Sequence, residues 1–544
     1  MSLLAVAALE AAVFFNANLH TGADQPKGAD AIVVEGGRIS YIGPGVKALR
    51  RAPKGAQRVD LAGATVIPGF TDAHAHLSGI GFRELEFDLE GTTSLAELQR
   101  KLAARAASTT SPWITGRGWI ESRWQPAGFP TRAALDAVVK DRPVLLMRAD
   151  SHSAVANSRA LELAGIDAST TDPAGGQILR DEAGAPTGML IDTAVALVGR
   201  LVPPPTEADE LRALELGAAR SVRLGWTQLQ SAGGTLAEVE RLCTLYREGR
   251  IQLRLHEAIS GPGEDAQQLL AGGVARKPCD DRLTVRTIKL YMDGALGSRG
   301  AALLAPYSDA PRSTGLLLNT EVQLFPVLTE ALRRGIQIET HAIGDRANRL
   351  VLDLYERAFK EVPRDARAVA EPRWRVEHAQ ILDPADLPRF TSLGVIASMQ
   401  PSHAISDLYF APARLGPERL KGAYAWRSLI DSGAIVAAGT DAPVERGDPI
   451  QEFYAATVRR SLDGFADDNW HREERVSRAA ALRMLTSAPA YAAFEDQDRG
   501  TLEVGKLADF TVLSQDLMTV PEERILATRV VMTVIGGEIA FRGR

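Results

Sequence analysis

The pattern that most constrains this chain is the alternation, through its middle, of short apolar strand-like runs with longer segments of helical periodicity. Such alternation points to an α/β barrel or a doubly wound sheet. Eight runs read as strands: residues 65–72, 226–230, 252–257, 285–291, 337–341, 375–378, 395–400 and 434–441. Helical stretches such as 211–223, 236–248, 323–334 and 346–359 separate most of them. Eight strands are what a closed (β/α)8 barrel of the TIM type requires, and that α/β architecture is the one expected here.

One gap breaks the rhythm. About 150 residues separate the first run from the second, where a βαβ crossover needs a few dozen. Residues from about 80 to 205 are therefore expected to form an inserted subdomain, with Pro203-Pro204-Pro205 as a stiff return linker. Both chain ends carry hairpin patterns: residues 31–35 and 38–43 around Gly36-Gly37, and 530–535 and 538–541 around Gly536-Gly537. The two ends are expected to build one small β-sandwich from residues 1–64 and 498–544, enclosing a barrel at 65–497.

Composition excludes more than it selects. A chain of 544 residues, 45% hydrophobic and 24% charged, can bury a large core without disulfides. Its net charge of −6 supplies no basic field for nucleic acid. Cys243 and Cys279 form no CxxC and suggest no disulfide framework, so both are expected to be small core or surface residues. No apolar run reaches the ~18 residues of a membrane helix. Residues 3–9 resemble the apolar core of an export signal, but no basic segment precedes them and Glu10 follows at once. The expectation is a cytoplasmic protein, with export as the alternative, acting on a small molecule without nucleic-acid or membrane partners. A homodimer is the commonest soluble assembly.

The chemistry gathers at the ends of the proposed strands, the face on which a barrel carries its catalytic residues. His74 and His76 close the first run. Two histidines two apart on a strand share a face, and their imidazoles can meet one Zn, Fe, Ni or Cu ion. The fourth run holds Lys289 among apolar neighbours, a costly placement unless the amine is paired or modified. The fifth run ends in His341, the sixth in His378 and the eighth in Asp441. Singly, each has an ordinary reading as a hydrogen-bonded core histidine or a turn aspartate. Jointly, five residues of metal-ligand type on four strands, with a buried lysine, predict a metal site.

That ordered set resembles the amidohydrolase superfamily. The segments Lys289-Leu290-Tyr291-Met292-Asp293-Gly294, Thr340-His341-Ala342-Ile343-Gly344-Asp345, Asp150-Ser151-His152-Ser153 and Gly439-Thr440-Asp441-Ala442-Pro443 are similar to its YtcJ-like, amidohydrolase type 3 branch. The resemblance spans nearly the whole chain. It implies a binuclear centre, usually zinc. His74 and His76 would hold the more buried ion with Asp441, and His341 and His378 the second. Lys289 would bridge them as an N-carboxylate formed with carbon dioxide. An ammonium cannot bind a cation, whereas a carbamate can; the alternative leaves an unmodified Lys289 beside a single metal or paired with Asp293. The implied mechanism is attack by a metal-bridging hydroxide, with Asp441 as general base and then general acid, and Lys289 completing the catalytic pair.

Substrate-side candidates are Trp119, which either walls the pocket or fills the subdomain core together with Trp124, and His152, which could orient a carbonyl oxygen. Gln400 and His403 follow the seventh run and could line the mouth. Asp293 and Arg299 stand just beyond Lys289, where a salt bridge between them competes with substrate contact. Gln228 either faces the metals or fills a barrel layer. The leading expectation is a metal-dependent hydrolase of a carbon–nitrogen bond in an amide or N-substituted formamide. The alternatives are an ester or lactone hydrolase, a deaminase, against which Lys289 argues, and a vestigial ligand-binding protein, against which the complete ligand set argues.

Overall fold

A computed structural model of the chain describes residues 11–543 except 25, 122, 123, 125, 127, 149–152, 174, 175, 277 and 463–469. Eight parallel strands form its central sheet: β1 Phe70–Ala75, β2 Trp226–Gly234, β3 Arg254–Ser260, β4 Leu283–Tyr291, β5 Gln337–Ala342, β6 Arg375–His378, β7 Ile396–Met399 and β8 Val436–Ala438. Each neighbours the next in chain order, as in a (β/α)8 barrel. The backbone links β8 back to β1, since Asp441 N–H donates to His74 O at 2.7 Å and His76 N–H to Ala442 O at 2.8 Å. Gly439 permits this approach: a Cβ there would lie 2.4 Å from the His74 nitrogen.

The single strand expected over residues 65–72 is two strands. Thr65–Pro68 pairs antiparallel with Phe510–Leu513, and the chain then turns into β1. Pro68 has no N–H to continue a ladder, and Gly69 N–H is taken by Asp509 O at 3.0 Å. A side chain at Gly69 would meet Thr227, so the crossing from one sheet to the other needs a glycine.

The chain ends form two sheets. Ala11–Phe15, Ala31–Glu35, Arg38–Gly43 and Gln57–Asp60 make one; Asn18–Leu19, Thr65–Pro68, Phe510–Leu513, Val530–Ile535 and Glu538–Arg542 make the other. They share an apolar core that includes Phe14, Ile32, Val66, Phe510 and Val534, with Phe14 and Phe510 edge to face at 4.9 Å. Burying each such large side chain contributes about 1.5–3 kcal/mol.

Residues Ile80–Leu216 form a second compact unit. Its mixed six-stranded sheet runs from Gly176–Arg180 at one edge to Phe87–Asp88 at the other. Trp119 and Trp124 lie in its core with Leu98, Leu102 and Leu146. The Trp119 indole is fully buried and donates to Leu146 O at 3.0 Å. Trp119 therefore holds this unit together, which corrects the pocket-wall expectation.

Cys243 and Cys279 are bonded, with their Cα atoms 5.5 Å apart, against the expectation of two unlinked thiols. Cys243 lies in the helix Leu236–Arg247 that leads into β3, and Cys279 in the segment leading into β4. Because β3 and β4 are paired, those two approaches meet at the same end of the barrel. Among the described residues, no helix is long and apolar enough to cross a membrane.

Candidate metal centre

Imidazoles from β1 and β6 meet the carboxylate that follows β8, while His341 of β5 sets its Nε2 3.5 Å from Asp293 Oδ1. His76 Nε2 is 3.0 Å from Asp441 Oδ1, and His74 Nε2 is 3.6 Å from the same oxygen. His403, on the helix Pro401–Ser406 after β7, places Nε2 3.7 Å from Asp441 Oδ2. The His341 and His378 ring centroids are 4.5 Å apart, those of His74 and His378 4.9 Å, and those of His378 and His403 5.9 Å. Among the described residues, two donor sets are compact enough for one ion each: His74, His76 and Asp441, and His378, His403 and Asp441, with ligand atoms within 4.8 Å of one another. Lys289 is 1% exposed, and its Nζ lies 3.3 Å from His74 Nε2. His378 and Asp441 both adopt left-handed backbone, at φ 73° and 56°. That region crowds Cβ against the carbonyl and costs on the order of 1 kcal/mol or more, a strain retained where it aims a side chain.

Buried polar residues fix the donors. Asp72 accepts the N–H groups of His74 and Thr440 at 3.1 and 2.9 Å and the Thr440 hydroxyl at 2.6 Å, so one carboxylate ties β1 to the segment carrying Asp441. Glu377 makes a short contact with His74 Nδ1, which turns Nε2 inward. Arg375 Nε donates to Glu377 at 2.7 Å, and the same guanidinium reaches Ala73 O and Gln230. His378 Nδ1 meets Gln400 Oε1 at 2.8 Å; an amide oxygen accepts, so Nε2 keeps its lone pair.

Burial sets the electrostatics. It pushes His74 down to about 4 and His341 to about 3, with Lys289 adding to both, and holds His378 well below the usual histidine range. These rings are neutral near pH 7. For Asp441 burial works the other way, yet the His76 hydrogen bond and the His74, His378 and His403 rings hold its carboxyl well below the usual range. Burial also lowers Lys289, opposed by Glu339, Glu377 and Asp441. His341 Nε2 and His403 Nε2 are buried without a hydrogen bond. Neutral His74, His341 and His378 rings near an ionised Asp441 carboxylate are donors of the kind a divalent transition ion needs.

The expected site residues separate on this geometry. His74, His76, His341, His378, Asp441 and Lys289 converge. His403 joins the donors instead of the mouth, and Gln400, 3% exposed, anchors His378. Asp293 is fully buried, receives the N–H groups of Ala302, Ile343 and Gly344 at 2.8–2.9 Å and lies 3.5 Å from His341 Nε2, so it braces loops beside the site. Arg299 pairs with Asp309 at 2.9 and 3.1 Å and not with Asp293. Gln228 is bound to Glu495 at 2.7 Å. His152 lies outside the described residues. Asp72, Arg375, Glu377 and Glu339 were not expected at the site. Their signal was the one that exposed Lys289, a charged residue inside an apolar strand.

The family model described as "Amidohydrolase family" matches residues 57–541. A Bacillus subtilis (strain 168) protein named as an amidohydrolase, YtcJ, is 30% identical over 97% of this chain and 99% of its own. The N-substituted formamide deformylase of Arthrobacter pascens is 28% identical over 97% of this chain and 98% of its own. The crystal structure of an uncharacterized metal-dependent hydrolase from Pyrococcus furiosus superposes with a TM-score of 0.74 at 28% identity, covering 94% of this chain and 100% of its own.

Proposed function

The chain belongs to the amidohydrolase family and is a metal-dependent hydrolase of that type; from that premise we propose that it cleaves a carbon–nitrogen bond, in an amide or an N-substituted formamide. The observation that carries the reading is the convergence of the His74, His76, His378 and His403 imidazoles on Asp441 beside a buried lysine. The similarity to a formamide deformylase along almost its whole length supports the choice of bond.

His74, His76 and Asp441 would hold one ion. His378 would hold a second, with His341 or His403. Lys289 would join them as an N-carboxylate, a reading supported by its burial and by the absence of any salt bridge to it among the described residues. Divalent ions there would supply Lewis acidity for water activation and carbonyl polarisation. The protein's own work is proton handling. Asp441, touched by His76 on Oδ1 and facing His403 on Oδ2, takes a proton from the attacking water and returns it to the leaving nitrogen. Glu377 and Gln400 keep the His74 and His378 rings turned to the site.

The test combines metal analysis of the purified protein with a screen of N-acyl and N-formyl compounds. About two zinc ions per chain and hydrolysis of a member of the screen are expected. Lys289→Ala should lose both metal and activity and recover part of each with short carboxylic acids. Full activity in that variant would sink the bridging-lysine reading.

A further inference from the structure

Glu452 is a wholly buried carboxylate that the hydrolytic residues leave unused. It lies on the helix Pro449–Thr457, in the same segment after β8 that carries Asp441. Its Oε2 accepts the Ser402 N–H at 2.8 Å. Among the described residues its Oε1 carries no hydrogen bond, so the side chain directs its bonding at this one group. A carboxylate that only filled the core would give up its hydration for nothing, where a methionine would pack as well.

Ser402 stands in the first turn of the helix Pro401–Ser406, between two residues that serve the cluster from β7. Gln400 meets His378 Nδ1 at 2.8 Å, and His403 sets Nε2 3.7 Å from Asp441 Oδ2. The N–H groups that open a helix have no partner inside it. Pro401 has none to satisfy, and His403 N–H goes to Gln400 O at 3.1 Å. Ser402 N–H is left, on a residue wholly buried from water, and Glu452 takes it. The bond therefore ties the turn bearing His403 to the segment bearing Asp441.

We infer that Glu452 is a positioning residue: by holding the Ser402 N–H it sets His403, and through Gln400 also His378, against Asp441. It thus governs the ion held by His378, His403 and Asp441 and spares the ion held by His74, His76 and Asp441. Asp72 fastens that other set on its own, through the N–H groups of His74 and Thr440. The inference rests on the two-ion cluster of the proposed function and is independent of which bond is cleaved.

The test titrates the zinc-loaded full-length protein with a chromogenic chelator, which removes the ions in order of affinity. The parent should release two. His403→Ala marks the ion of the His378 set by weakening it. Glu452→Met, similar in length and volume but without an acceptor, should weaken that same ion about 10–100-fold and leave the other unchanged. Glu452→Gln keeps an acceptor oxygen and should hold both ions as the parent does. Combined in one chain, Glu452→Met and His403→Ala should lose less than the sum of their separate losses, because both act through one ligand. Hydrogen exchange after both ions are removed should be faster at the Ser402 N–H in Glu452→Met than in the parent or Glu452→Gln. Thermal melting checks folding; if Glu452→Met does not fold, Glu452→Asp, one methylene short of Ser402, carries the same comparison. Parental affinity for both ions without the acceptor, equal weakening of both, additive losses, or a parent that holds a single ion overturns the inference. Turnover is read separately. Two bound ions with no hydrolysis of any N-acyl or N-formyl compound would count against the carbon–nitrogen reading and leave the role of Glu452 standing.

Discussion

Glu377 sets which nitrogen of His74 is turned to the candidate metal site. Its contact with His74 Nδ1 decides which nitrogen faces inward, and the Arg375 guanidinium keeps Glu377 ionised, against its burial, well below the usual carboxylate range. Glu377→Gln keeps the shape and removes the charge. Metal affinity should fall about 10–100-fold, read by competition with a chromogenic chelator. The change also leaves Arg375 with less compensation in a fully buried position, so a lower Tm is expected alongside. An unchanged metal affinity would reduce Glu377 to a packing role. Asp72 works in the same way on the backbone, fastening the turn that holds Asp441 at φ 56°.

Among the elements, the helix Leu236–Arg247 is tied by Cys243–Cys279 to the approach to β4. The bridge closes a loop spanning 36 residues, which by chain entropy stabilises the fold by about 4 kcal/mol. Reduction with dithiothreitol, or the double change Cys243→Ser and Cys279→Ser, should therefore lower the Tm. Equal melting of the oxidised and reduced protein would show that the bridge does not constrain the unfolded chain. The division of residues 65–72 into two strands acts at this scale too. Proline followed by glycine stops one ladder, so a single apolar run serves the terminal sheet with its first half and the barrel with its second.

Across the whole of the barrel-bearing unit, Asp509 joins the C-terminal strands to the barrel. Arg254, the first residue of β3, donates to it at 2.7 and 3.1 Å, Gly536 N–H donates at 2.8 Å, and Arg499 lies 3.7 Å away. Removing the charge from this buried pair costs about 3–5 kcal/mol, so Asp509→Asn should melt earlier at pH 7. The sign with pH follows from the shift. Burial alone would raise the Asp509 carboxyl, but Arg254 and Arg499 hold it below the ordinary 3.8. Its contribution is complete above about pH 4 and is lost as pH falls through the lower folded value. The gap in Tm between the parent and Asp509→Asn should thus narrow on acidification; a gap constant down to pH 3 would contradict the linkage.

The sequence by itself determined the features that are local. Eight strands were legible because each is a short apolar run bounded by its own helix, and His74, His76, Lys289, His341, His378 and Asp441 because each sits at or near the end of such a run. Only the tertiary structure decided what depends on distant partners. Glu377 meets His74 across 303 positions, Thr440 meets Asp72 across 368, and the cysteines meet across 36. It also sent Arg299 to Asp309, closed Asp293 inside a ring of backbone N–H groups, sank Trp119 into a core and brought His403 to Asp441. Periodicity reports how a segment folds against its own neighbours. The partner a polar side chain finds is fixed by where the other strands of the barrel end.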